Sequence, residues 1–167
     1  PARLECEYHT YPLIDSQSPR FSWINTPDKK GENIVQSAYQ IRVATSESGL
    51  KSAPVWDSGR QQSNQSCNIC YAGKELLSKC DYWWQARVWD SRGKASEWSE
   101  PSKFHMGVLN SDLWRGEWIG APWQGEESYD VVGSKDVLPS PLLRKEFSVG
   151  AGVESVRFYG TGLGYFE

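Results

Sequence analysis

Tyr82-Trp83-Trp84-Gln85-Ala86-Arg87-Val88-Trp89-Asp90 (YWWQARVWD), running on through SRGKASEWS to Ser99, is the stretch that decides the fold. It alternates with period two. Tyr82, Trp84, Ala86 and Val88 fall on one face, and Trp83, Gln85, Arg87 and Trp89 on the other. A half-buried β-strand produces this pattern, because successive side chains point to opposite faces of a sheet. The turn that follows, Asp90 to Lys94, supplies Gly93 where a hairpin must reverse, and a second strand is expected to end near Phe104. Upstream, Leu76 closes a loop and Tyr82 opens the strand. That pairing fits the tyrosine corner of immunoglobulin-like sandwiches, in which the phenol bonds back to the upstream backbone.

Working outward, Leu4 to Tyr8 and Pro12 to Asp15 read as an edge strand ended by proline. Pro19 to Trp23 reads as a short strand with Phe21 and Trp23 on one face. Thr26 to Asn33 is polar and contains Gly and Pro, hence a loop. Ser37 to Ala44 alternates, with Tyr39, Ile41 and Val43 expected inside and Gln40 and Arg42 outside. Ser46 to Pro54 is a loop with room for one helical turn. Val55 to Arg60 is a short strand ending at a Gly turn, and Ser66 to Tyr71 is another strand. With the two strands around Gly93 the count reaches about seven, the number a fibronectin type III or constant-type immunoglobulin sandwich requires.

The chain of 167 residues exceeds one such sandwich and falls short of two. Net charge is −3 with no basic block, which argues against nucleic acid as a partner. No apolar run approaches the roughly 18 residues of a membrane helix, so no membrane partner is expected. The opening residue Pro1 is read as the start of a mature or trimmed chain. Nine Trp and eight Tyr suit strands and also build sugar-binding platforms.

Of four cysteines, Cys67 and Cys70 form a CxxC, but no second CxxC accompanies it and His9 and His105 lie far away in sequence. Within a regular strand those two thiols would point to opposite faces and could not chelate together. Free thiols and one structural disulfide are the two readings; no metal and no cofactor are assigned.

After Gly107 the texture changes. Asn110 to Trp118 is a connector, and Ala121 to Pro141 is a long polar stretch rich in Gly, Pro and Asp. Two strand-like runs follow, LLRKEFSV (142–149) and VESVRFYG (153–160), and Tyr165 to Glu167 reads as part of a third. Two or three strands cannot close a second sandwich. Residues 1–107 are therefore expected to form a fibronectin type III-like or immunoglobulin-like β-sandwich. Residues 108–167 are expected to be a connector and the first strands of a truncated, jelly-roll-like second sandwich, in an all-β chain.

The ordered set LECEY, PLIDSQSPRFSW, QSAYQIRVATS, VWDSGR, YAGKELLS, YWWQARVWDSRGKASEWSEPSKFHMG, LNSDLWRGEWIG and PLLRKEFSV…GLGYFE covers nearly the whole chain. It resembles the N-terminal region of bacterial α-L-rhamnosidases of glycoside hydrolase family 78. The resemblance implies a fibronectin-like sandwich first, a β-jelly-roll domain next, and a catalytic (α/α)₆ barrel much further on, absent from this sequence. It also implies a secreted, periplasmic or extracellular parent that hydrolyses terminal α-L-rhamnosides with inversion. Its partners would be the parent's following domains and rhamnose-containing glycans.

Inverting hydrolysis needs two carboxyl groups roughly 6.5–9.5 Å apart, one of them protonated. Those belong to the family's barrel, so no residue here is assigned a catalytic role. Glu126, Glu127 and Asp130 sit in a polar loop with nothing apolar beside them to raise a pKa. Gly160 to Gly164 lacks the Lys-Ser/Thr ending of a phosphate loop and reads as strand-turn glycine. No Ser-His-Asp or Cys-His set is evident. The functional candidates are aromatic: Trp83, Trp89 and Trp98. A flat indole there is either a platform for the C–H face of a sugar or part of a cation–π stack with Arg87, or it is covered by a neighbouring domain. Trp114, Trp118 and Trp123 are expected to join two domains.

The sequence is thus read as a non-catalytic accessory region of a rhamnosidase, acting as structural spacer or weak carbohydrate-binding module. The alternative is a fibronectin-type adhesion or receptor module, since Ala95 to Ser99 echoes half of the WSxWS box of cytokine receptors.

Overall fold

The computed structural model describes residues 1–26, 35–120 and 142–162. The expected alternation builds the spine: β8 (Asp81–Asp90) runs antiparallel to β4 (Gln36–Ala44), with Tyr39, Ile41 and Val43 opposite Val88, Ala86 and Trp84. Because apolar residues face apolar residues across this ladder, one side of the pair is a continuous greasy surface. β9 (Ser102–Met106) flanks β8, and β2 (Leu13–Ile14) joins β9 in parallel. β5 (Trp56–Asp57) and β6 (Gln61–Gln62) occupy the other edge of β4. The opposing sheet is β1 (Ala2–Cys6), β3 (Arg20–Ile24) and β7 (Ile69–Cys70), with β3 central. A single turn of helix, α1 (Gly49–Ser52), interrupts the loop after β4. Among the described residues no helix is long and apolar enough to cross a membrane.

Phe21 from one sheet meets Trp84 from the other at a ring distance of 4.5 Å, and Trp23 meets Tyr39 edge-on at 5.5 Å. Leu4, Cys6, Ile14, Ile41, Val43, Ile69, Tyr71, Leu76, Tyr82, Ala86, Phe104 and Met106 complete this inter-sheet core. Burial of such faces is what holds two sheets together. The chain folds here as an immunoglobulin-like β-sandwich, and the compact unit runs from Pro1 to Trp114.

The tyrosine corner is formed: the Leu77 N–H donates to the Tyr82 hydroxyl at 2.9 Å, and Leu76 beside it is fully buried. Gln17 clamps the same loop, its side-chain amide exchanging bonds of 2.9 and 2.8 Å with the backbone of Leu76.

Between β1 and β2 the chain reverses at Glu7 and Tyr8, with φ of 47° and 65°, inside reciprocal Cys6–His9 backbone bonds of 2.9 and 3.0 Å. Such turns favour Asn-Gly, since a side chain at positive φ is disfavoured. Arg20 offsets that cost. Its guanidinium and backbone N–H both donate to the Glu7 carboxylate, at 2.6 and 2.7 Å, and the same guanidinium lies 5.2 Å from the Tyr8 ring centre. The hydrogen bond from the Arg20 side chain holds Glu7 below the ordinary carboxylate range. A carboxylate whose folded pKa is depressed stabilises the fold above its unfolded value, and that contribution is lost as pH falls through the folded one. Melting temperature is therefore expected to fall in circular-dichroism melts as pH drops through and below the ordinary glutamate range, and less steeply in Glu7→Gln. Equal slopes would mean Glu7 is uncoupled from folding.

Cys67 and Cys70 correct the regular-strand expectation. Both are exposed, because the backbone turns to φ 54° at Asn68, where its N–H bonds to the Ser22 hydroxyl and the period-two alternation breaks. All four cysteines are free.

Residues 115–167 form a second unit. In its described part the runs 142–149 and 153–160, expected as strands, carry no ladder. Leu142 and Phe158 are 99% and 90% exposed. The expected loop 121–141 and the third strand at 165–167 lie outside the described residues, as do Leu163 and Gly164 of the Gly160–Gly164 stretch.

Candidate functional site

The outer face of β8 and β4 carries the candidate residues. Ladder pairing sets Trp89 beside Ala38, Arg87 beside Gln40, Gln85 beside Arg42 and Trp83 beside Ala44. Trp98 comes from the segment after the Gly93 turn, which runs along β8 without becoming a regular strand. Ser96 and Ser99 make this possible. Their backbone N–H groups bond the Val88 and Ala86 carbonyls, each at 2.8 Å, while their hydroxyls accept the N–H groups of Val88 and Ala86, each at 3.1 Å. Hydroxyls thus stand in for ladder carbonyls, so every backbone group of this edge stays paired while the chain swings Trp98 over the face.

The side chains then stack in a column. Arg60 lies 4.9 Å and Arg87 4.8 Å from the Trp89 ring centre; Arg87 and Arg42 each lie 4.7 Å from that of Trp98. The order is Arg60, Trp89, Arg87, Trp98, Arg42, an alternation of cation and indole of the kind that the ring quadrupole favours. Beneath it, Gln40 accepts two bonds from Arg87, at 3.0 and 2.7 Å, and donates to Asp57 at 2.5 Å. Asp57 also takes the Arg42 Nε–H at 2.7 Å and the Gly59 N–H at 2.9 Å. Burial pushes the Asp57 carboxyl up, but the bonds from Gln40, Arg42 and Gly59 outweigh it and hold the group below its ordinary value. Trp83 stands apart, with the Lys103 ammonium 4.3 Å from its ring centre.

Of the three aromatics singled out in the sequence, Trp89 and Trp98 share one stack and Trp83 does not. Two cations already occupy each of the stacked rings, and Trp89 is only 9% exposed although its strand position faces outward. Gln40, expected outside, is on the outer face but 7% exposed, roofed by the column. Gln85 is buried as well, and its Nε2 has no partner among the described residues. Arg42, Arg60, Asp57 and Lys103 went unnoticed as members of the site. Arg42 and Asp57 carried a signal, since alternation and the VWDSGR turn put both on an outward face.

Elsewhere, buried His105 has Nδ1 2.8 Å from Asp81 Oδ1, a contact that ties β9 to β8. Among the described residues no group of three or more His, Cys, Asp or Glu is placed to hold a metal ion. Glu126, Glu127, Asp130 and Trp123 lie outside the described residues.

The family model "Rha78A-like, N-terminal immunoglobulin domain" matches residues 1–110. An α-L-rhamnosidase of Formosa agariphila is 42% identical over 89% of this chain and 16% of its own length. Among solved structures, the Streptomyces avermitilis α-L-rhamnosidase complexed with L-rhamnose superposes with a TM-score of 0.68 at 43% identity, over 72% of this chain and 12% of that one. The enzyme from Dictyoglumus thermophilum gives 0.67 at 36% identity, over 72% and 14%. The chain therefore spans a small part of the length of each relative. With the sandwich, its tyrosine corner and the match over residues 1–110 in agreement, this chain belongs to the family of Rha78A-like N-terminal immunoglobulin domains.

Proposed function

We propose that this chain is a non-catalytic accessory region of a secreted bacterial α-L-rhamnosidase, periplasmic or extracellular, whose sandwich acts as a structural spacer for the parent's other domains. Residues 108–167 would lead from it into a jelly-roll-like domain. The observation that carries the spacer role over a neutral-sugar platform is the occupied column: each stacked indole already holds two guanidinium groups, so a sugar ring would have to displace a cation to stack. The parent would hydrolyse terminal α-L-rhamnosides with inversion, using carboxyl groups outside this sequence.

Two measurements test this. The protein alone is expected to release no nitrophenol from an aryl α-L-rhamnoside, and calorimetric titration with L-rhamnose is expected to give no saturable heat. Turnover that survives repurification would overturn the non-catalytic assignment. Saturable heat lost in Trp83→Ala would replace the spacer by a carbohydrate-binding module.

A further inference from the structure

We propose that Cys67 and Cys70 form a two-thiolate site for a soft monovalent metal ion of the Cu(I) class, on the outer face of the three-stranded sheet. The register of β3 against β7 brings the two thiols to one side. Arg20 stands opposite Cys70, and Phe21 opposite Ile69. A regular ladder would continue with the Trp23 N–H bonding the Cys67 carbonyl. It bonds the Ser66 carbonyl instead, at 2.9 Å. One extra residue is therefore housed between Ser66 and Ile69, a β-bulge in which Cys67 and Asn68 both lie opposite Ser22. The bulge resets the alternation. Ile69 points into the core, while Cys67 and Cys70 on either side of it are both exposed.

The spacing decides what the pair can do. Ser22 and Arg20 are two steps apart on β3, so the residues opposite them are separated by about 6.5–7 Å along the strand. A disulfide asks for Cα atoms roughly 4.4–6.8 Å apart and sulfurs about 2 Å apart, which puts this register at the edge of a direct bond. A metal ion at about 2.3 Å from each of two thiolates lets the sulfurs stand up to about 4.6 Å apart. That longer reach suits the register. Among the described residues no third His, Cys, Asp or Glu completes a metal-binding group. Zinc, which takes four ligands, is poorly served by two; a soft closed-shell monovalent ion is satisfied by two thiolates in line. On binding, each thiol releases its proton to solvent and each sulfur donates an electron pair, with the oxidation state of the ion unchanged.

The bulge is also held in place. The Asn68 N–H bonds the Ser22 hydroxyl at 3.1 Å, its side-chain oxygen accepts the Tyr8 hydroxyl at 2.8 Å, and Gln65 donates to the Cys67 carbonyl at 2.7 Å. The other thiols stand apart from this site. Cys6 is fully buried, and Cys80 precedes β8 in the opposite sheet.

Anaerobic titration of the intact protein with Cu(I), in competition with the chromogenic chelator bicinchoninate, tests the site. The protein is expected to withdraw one ion per chain from the chelator. Cys67→Ser and Cys70→Ser should each weaken binding by on the order of a hundredfold or more, because the second ligand acts at high effective concentration. Both side chains are exposed, and melting curves verify that the variants fold. Cys80→Ser should bind like the unaltered protein. No withdrawal of Cu(I), undiminished affinity in either the Cys67 or the Cys70 variant, or a dimer that appears with copper in size-exclusion chromatography would each overturn the proposal. The spacer role is independent of this site, since the rhamnose and aryl-rhamnoside assays read it without copper.

Discussion

Replacing Arg87 by Ala is expected to cost about 3 kcal/mol of folding free energy, read as a lowered urea midpoint with an unchanged slope. Arg87 touches both Trp89 and Trp98, at 4.8 and 4.7 Å, and removing it takes away two cation–π contacts worth about 0.5–2 kcal/mol each, depending on burial. It also strips two donors from the Gln40 side-chain oxygen. Gln40 is 7% exposed, so its acceptor is left without full solvation, a penalty of about 1–3 kcal/mol. Arg87→Lys should fall between wild type and Arg87→Ala, since it keeps the charge but loses the fork that spans Gln40 and the two rings. A cost below about 0.5 kcal/mol for Arg87→Ala would mean the column is an exposed, solvent-screened arrangement that contributes nothing to folding.

That experiment bears on function because the column can serve the fold, a ligand, or both. The spacer role proposed above asks for a rigid sandwich, and a rigid outer face suits that task. If the stack is worth several kcal/mol, its aromatics are explained without any sugar. If it is worth nothing, three ordered arginines on one face need a partner to account for them.

Where side chains alternate over apolar surface, the fold was legible. β8, β4 and β3 follow from Tyr82, Trp84, Ile41, Val43, Phe21 and Trp23, and the tyrosine corner follows from Leu76 and Tyr82. The parallel contact of β2 with β9 was not, because two residues carry no periodicity; neither was β6, whose Gln61 and Gln62 offer no apolar face. The turn at Glu7 and Tyr8 lacks the glycine or asparagine that announces such a reversal, since its support comes from Arg20, distant in sequence. At the site, alternation gave the correct side for Trp89, Gln85 and Gln40 but not their burial. Periodicity reports which face a residue takes, and it is blind to a roof supplied by Trp98 from outside the strand. Among the described residues the runs 142–149 and 153–160 carry no ladder, for a period-two pattern describes a willingness to pair and does not itself supply the partner.

Trp84→Ala is expected to be the most damaging single substitution, at about 3–5 kcal/mol, a large part of the roughly 5–15 kcal/mol that holds a domain of this size folded. Trp84 is fully buried, its ring centre 4.5 Å from that of Phe21, and it stands on β8 between Val43 of β4 and Ser102 of β9. Truncation would open a cavity at the point where the two sheets meet, where a close-packed core relaxes least. Trp84→Phe separates two causes that Trp84→Ala combines. The indole Nε1 is buried with no partner among the described residues, a donor that costs free energy as long as it remains. Phenylalanine removes that donor while keeping most of the ring, so the lost volume is partly compensated and a cost of only about 1–2 kcal/mol is expected in urea unfolding. A Trp84→Phe cost matching that of Trp84→Ala would mean that the fit of the full indole against Phe21 dominates, and that the unpaired N–H carries little penalty.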